Sequence, residues 1–270
     1  MRVGVLSDIH GNRQALEAVI RNARAIGVDE FLCLGDVVGY GPDPEWCVER
    51  VAVLTPHVVQ GNHDLAALPD MGVFRTLFRP AAQVALEWTV DRLGSAELEW
   101  LGQLAPTVAG PWGLAAHGMP DDVMAYVFNE ADAATAIERA AFADDDPADG
   151  EGDPHTLWVG HTHLPMMARE APGAQVAIIP GPDRGPRVPD WGVGWDYGEP
   201  VYVGRRRWLV NPGSVGQPRD GDPRARWAVV DTVARTVALR AVEYAFEETQ
   251  AAMVRAGLPF ELVSLLGPRP

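Results

Sequence analysis

The sequence predicts a layered α/β fold. Three observations carry that expectation: the chain opens as strand, helix, strand; short strands crowd its second half; and the residues fit for chemistry stand just past the ends of apolar runs. Residues 2–7 read as a short buried strand. Residues 13–27 carry Leu16, Val19, Ile20, Ala23 and Ile26 at helical spacing and end on a glycine. Residues 31–34 read as a second buried strand and 57–60 as a third. Helices are expected at 81–93 and 96–104, a strand at 113–116 and an alanine-rich helix at 131–142. The stretch 143–154, acidic with Gly and Pro, reads as a solvated connector. Strands follow at 156–159, 175–179, 201–203, 207–210, 227–230 and 237–242, with a last helix at 246–256. Residues 180–200, rich in Gly and Pro, form a lid or an elaborated hairpin. The whole chain, 1–270, reads as a single domain carrying that insertion. Residues 258–270 are a tail or an interface segment.

Composition narrows the class. The chain has 22 basic and 37 acidic residues, a formal charge of −15, and every basic residue is arginine. Without lysine there is no Walker-type phosphate loop, no Schiff base and no lysine general base. The acidic balance excludes non-specific binding of long nucleic acids. At 270 residues the chain buries about three quarters of its unfolded surface, so no structural metal or disulfide is needed merely to fold. Cys33 and Cys47 make no disulfide framework. No signal peptide and no bilayer-spanning run is evident, so a cytoplasmic location and no membrane partner are expected. Oligomeric state is not legible.

The chemistry lies in five segments at strand ends: Asp8-Ile9-His10, Gly35-Asp36, Gly61-Asn62-His63-Asp64, His117-Gly118 and Gly160-His161-Thr162-His163. They hold five of the seven histidines; His57 and His155, outside them, read as structural. Asp and His are costly to bury unpaired, so residues gathered this way need a common partner, and a pair of metal ions supplies one. Carboxylate, imidazole and an amide carbonyl suit manganese, iron, zinc or nickel better than calcium or magnesium, with manganese placed first.

Taken in order, these segments resemble the signature of the calcineurin-like metallophosphoesterase superfamily. Asn211-Pro212-Gly213-Ser214-Val215-Gly216 is similar to the segment that follows in its bacterial and archaeal small phosphodiesterase branch. The resemblance spans residue 1 to about 220. It implies a four-layer α/β/β/α sandwich of two mixed sheets and an enzyme that hydrolyses phosphate esters with a hydroxide bridging two metal ions. Asp8, His10 and His163 would hold one ion, Asn62, His117 and His161 the second, and Asp36 would bridge both. His63 would sit over the site as a catalytic residue, with Asp64 as its orienting carboxylate. Two divalent ions against two carboxylates leave a net +2, which lowers the pKa of a bridging water toward neutrality. In purple acid phosphatases a tyrosine ligand stands three residues after the bridging aspartate. Here that place is Gly39, so no iron–tyrosinate colour is expected, and Tyr40 is a wall of the substrate pocket or plain packing. Arg219 would contact a substrate phosphate or make a surface salt bridge. The basic run Arg205, Arg206 and Arg207 reads as a strand face. A small phosphodiester is the expected substrate, with a phosphomonoester or a dinucleoside polyphosphate as alternatives. A non-catalytic binding scaffold is a further alternative that predicts missing ligands, and none is missing.

Overall fold

The computed structural model describes residues 1–140, 142, 155–171, 175–178, 197–204 and 206–268. The expected connector at 143–154, residues 180–196 of the expected lid, and Arg205 lie outside them. In chain order the elements are β1 (Arg2–Leu6), α1 (Arg13–Ala25), β2 (Glu30–Cys33), α2 (Pro44–Leu54), α3 (Asn62–Ala67), a 3₁₀ turn (Pro69–Met71), α4 (Gly72–Arg75), α5 (Pro80–Val90) and α6 (Ser95–Gly102). Then come β3 (Thr107–Gly110), β4 (Gly113–Ala116), α7 (Glu130–Arg139), β5 (Thr156–Trp158), β6 (Met166–Ala171), β7 (Gln175–Ile178) and β8 (Val201–Tyr202). The chain ends with β9 (Trp208–Asn211), β10 (Ala225–Asp231), β11 (Thr236–Val242), α8 (Phe246–Arg255) and α9 (Phe260–Val263).

The strands make two mixed sheets. One has the order β2-β1-β10-β11-β8 and the other β3-β4-β5-β9-β6-β7. In the first, β1 runs parallel to β2 and antiparallel to β10. In the second, β4, β5 and β9 are mutually parallel, and β3, β6 and β7 pair antiparallel at the flanks. Alternation along each strand decides the layering. Val3 and Val5 of β1 and Ala228 and Val230 of β10 meet Trp158 of β5 and Val210 of β9 in a core between the sheets. The intervening residues face outward. Leu6, Trp227 and Val229 pack under α1 and α2, whereas Leu157 and Leu209 pack under α7. This is the α/β/β/α sandwich expected.

Helix α1 forms where its apolar stripe requires it. Asn12 caps it by accepting from the Ala15 amide at 3.1 Å, and Leu16, Val19, Ile20 and Ala23 are buried. The expected strand at 57–60 is corrected: Val58 bridges only to Cys33, and Val59 only to Ala105. The chain must turn there, because the backbones of Gly35 and Gly61 pass so close that a Cβ on Gly35 would lie 2.5 Å from the Gly61 amide. The C-terminal stretch is no free tail: Leu258, Leu262 and Leu266 pack with Ala81 and Ala85 of α5. Among the described residues no helix is long and apolar enough to cross a membrane.

Candidate metal centre

Three of the five segments that carry chemistry, at Asp8–His10, Gly35–Asp36 and Gly160–His163, leave their strands through strained turns. Of the seven non-glycine residues with positive φ among the described residues, six are Asp8, His10, Asp36, Tyr40, His161 and His163, with φ between 50° and 66°. Each such conformation costs about 1–3 kcal/mol and persists only where the surroundings enforce it. Here the enforcement is visible. The amides of Asp8, His10 and Gly11 donate to the carbonyls of Gly35, Asp36 and Val37, so the first two loops are laced together. Gly39 (φ 90°) lies against the His63 ring, and Gly61 lies against the Asp36 carboxylate with no room for a Cβ.

The result is one buried cluster at the strand ends. Asp8, His10 and His163 offer ligand atoms within 4.8 Å of one another, and so do Asp36, His117 and His161. Asp36 lies between: its Oδ2 is 3.6 Å from His10 Nε2 and 3.3 Å from His117 Nε2. Asn62 Oδ1 is 3.0 Å from His117 Nε2. Residues far apart in sequence thus converge, each anchored from behind. The Nδ1 atoms of His10, His117 and His163 donate to the carbonyls of Val38, Leu34 and Gln217 at 3.0, 2.7 and 2.7 Å. A carbonyl only accepts, so Nδ1 carries a proton in each and Nε2 turns inward. His161 is reversed: its Nε2 is held by the Met124 carbonyl at 3.2 Å, which leaves Nδ1 for the cluster.

These donors fit divalent cations. His10 Nε2 and His163 Nε2 face each other at 3.1 Å, two lone pairs in repulsion unless a cation comes between them. Asp36 Oδ2 is buried with no hydrogen-bond partner, a cost that coordination removes. Burial pushes His10 down to about 4 and His161 down to about 3, so both imidazoles are neutral at pH 7. His117 is different. Burial lowers it, but the carboxylates of Asp36 and Asp8 outweigh burial and raise it to about 9. At pH 7 the metal-free His117 therefore holds a proton on the nitrogen a metal needs. Metal loading at pH 7 is expected to release protons, and apparent affinity to rise with pH toward about 9. Calorimetric titration of Mn²⁺ in buffers of unlike ionisation enthalpy checks this. A heat independent of the buffer would contradict it.

His63, second residue of α3, donates its amide to Asp36 Oδ1 at 2.8 Å. Its ring sits 4.4 Å from Tyr40, 4.8 Å from His10 and 4.9 Å from Phe78. Nδ1 is buried and unpartnered, so Nε2 is the nitrogen open to the cleft. Asp64 does not orient that ring, contrary to expectation. Its carboxylate accepts from the amides of Asp36, Val37, Val38 and Gly61 at 2.8 to 3.2 Å. Consecutive helical residues do not share a face, so Asp64 points away from His63 and clamps the Asp36 turn.

Tyr40 and Arg219 lie together. The Arg219 guanidinium is beside the Tyr40 hydroxyl and bonds Gln217 Oε1 at 3.2 Å. Among the described residues Arg219 has no carboxylate partner, so the surface salt bridge considered for it is not there. Both line a cleft of about 540 Å³ whose floor includes Asp36, Asn62, His63, His161 and His163. Three features were not read from the sequence. Met124 and Tyr126 clamp His161, the tyrosine ring stacking on it at 3.9 Å and 10°. Arg79 lines the cleft. So does the C-terminal segment, through Leu262 and Leu265. Only the aromatic interruption in residues 124–128 offered a local signal.

A buried Asp/His cluster at the strand ends of an α/β/β/α sandwich defines a metallophosphoesterase. The chain belongs to the calcineurin-like phosphoesterase superfamily, whose domain model matches residues 1–235. It is similar to a metallophosphoesterase of Sphaerobacter thermophilus of known structure, with 36% identity, a TM-score of 0.78 and 99% of each chain covered. It shares its fold with a hypothetical protein of Pyrococcus horikoshii (20% identity, TM-score 0.68, 98% of this chain and 97% of that one). An uncharacterized protein of Methanocaldococcus jannaschii is 28% identical over 264 residues, 95% of this chain and 93% of its own length. The chain is thus a member of a metal-dependent phosphoesterase family, and its clustered His and Asp groups are of the kind that hold metal.

Proposed function

We propose that this chain is a phosphodiesterase that works with two divalent ions, manganese first among them. The observation that carries the reading is Asp36 Oδ2, buried, unpartnered and set between two groups of inward-turned imidazoles. Asp8, His10 and His163 hold one ion, Asn62, His117 and His161 the other, and Asp36 spans both. When bound, the ions supply an activated water and positive charge for the phosphoryl oxygens. The chain's own residues do the rest. The backbone carbonyls of Val38, Leu34, Gln217 and Met124 fix the imidazoles in the required tautomers. Burial keeps His63 neutral, with its proton on Nε2 facing the cleft, where it donates to the leaving oxygen or to a phosphoryl oxygen. Arg219 presents its guanidinium to the remaining phosphate charge, and Tyr40 braces both His63 and Arg219.

A cleft of about 540 Å³ has room for two organic groups on phosphorus, which favours a small diester over a simple monoester. Arg219→Ala is expected to raise KM about tenfold, the cost of one charge-assisted contact, with a smaller change in kcat; steady-state kinetics read both. The reading itself is tested by stripping metal with chelator and assaying bis-p-nitrophenyl phosphate beside p-nitrophenyl phosphate, with and without Mn²⁺. Restored turnover, faster on the diester, is expected. Cleavage of the monoester alone would shift the substrate class, and no cleavage with any divalent ion would sink the enzyme reading.

A further inference from the structure

The cleft has a wall that the family match does not reach. The domain model ends at residue 235, yet Leu262 of α9 and Leu265 beyond it line the cleft that holds the cluster. They meet Ala81 and Tyr40 in one apolar group, and the Tyr40 ring packs at a tilt against His63. Leu77 and Phe78 continue the same wall, with Phe78 edge-on to the His63 ring. Apolar side chains therefore dominate this side of the cleft beside the His63 imidazole, with Arg79 and Glu261 set among them, and Leu77 is 66% exposed.

This wall is fixed to the site, not draped over it. Thr249 Oγ1 of α8 lies 3.1 Å from Asn12 Oδ1 and 3.0 Å from Gln14 Oε1. Asn12 Nδ2 in turn donates to the Gly216 carbonyl at 2.8 Å, one residue before the Gln217 carbonyl that orients His163. Within the segment, Gln250 Nε2 donates to the carbonyls of Val263 and Leu266 at 3.1 and 3.3 Å. The same polar contacts that cap α1 thus seat the C-terminal helices against the cluster. A rigid apolar wall beside a phosphate site is suited to a flat apolar ester group, and a small polar alkyl group gains nothing from it.

We propose that the C-terminal segment is the specificity wall of this cleft, and that Leu77, Phe78, Leu262 and Leu265 select phosphodiesters carrying an aromatic group over those carrying a small alkyl group. The inference rests on the phosphodiesterase reading and names its substrate class. The test uses two diesters with the same leaving group, bis-p-nitrophenyl phosphate and methyl p-nitrophenyl phosphate, and the ratio of their rates in variant against wild type cancels their intrinsic difference in reactivity. The full-length metal-loaded protein is expected to favour the bis-aryl diester, chiefly through KM. Leu265→Ser and Leu77→Ser are each expected to shrink that preference about tenfold, the scale on which an apolar pocket discriminates, whereas Leu265→Met retains it. Leu77 is exposed, so its substitution tests the wall even if Leu265→Ser fails to fold. Calorimetric binding of diphenyl phosphate against dimethyl phosphate reads the same preference without turnover. If both diesters are cleaved equally well, or the preference survives in the Leu77 variant, the wall is overturned and the phosphodiesterase reading stands. If neither diester is cleaved, both fall.

Discussion

Asp36→Asn is expected to abolish turnover while leaving the chain folded. The substitution preserves size and the Oδ1 contact with the His63 amide. It removes the negative charge between the two groups of imidazoles and places an amide where Oδ2 faces His117 Nε2 at 3.3 Å. An amide carries one weak donor oxygen and cannot span two cations. The expected loss in kcat is about 10³-fold or more, beyond that of deleting a single oxyanion donor, with metal content falling alongside. The structural cost is confined to the buried ion pair of Oδ2 with His117 Nε2 at 3.3 Å. Elemental analysis and thermal melts separate loss of metal from loss of fold. A variant that keeps its metals and a tenth of its activity would refute the spanning role.

Asp64→Ala is expected to act through stability. The Asp64 carboxylate satisfies four amides of the 36–38 and 61 turns. Deleting it strands buried N–H groups at about 1–3 kcal/mol each and releases the turn that holds Asp36 at positive φ. A net loss of about 3 kcal/mol corresponds to a fall in Tm of about 6–12 °C. Activity should drop in step with metal affinity, and excess Mn²⁺ should recover part of it. If Asp64 instead served as a proton-relay partner to His63, the variant would keep its Tm and its metals and lose kcat alone.

The contrast between these two aspartates shows how far the sequence could be read. The cluster was legible because each member stands just past a short apolar run. Strand ends of a layered α/β fold face one edge, so Asp8, Asp36, Asn62, His117, His161 and His163 had to converge once the strands were placed. The roles of neighbours were less legible. Asp64 follows His63 directly, and the family resemblance implied that it orients the His63 ring. But Asn62–Ala67 is a helix, too short to show a stripe, and its turn sends the two side chains apart. Helix α2 was not read, although Pro44 stands at its N1, where a proline starts a helix well. Strand β3 was missed because it is half-buried at a sheet edge and shows no alternation. The clamp on His161 and the C-terminal wall depend on contacts across 37 residues and more than 180, which no local pattern records.

The most direct test of the central claim is a titration. Metal-stripped protein is loaded with Mn²⁺ in steps, and diester hydrolysis is followed against equivalents bound per chain. Two groups of ligands sharing Asp36 require that activity stay low through the first equivalent and reach its plateau at two. Full activity with one ion, or in the stripped protein, would contradict the two-ion account.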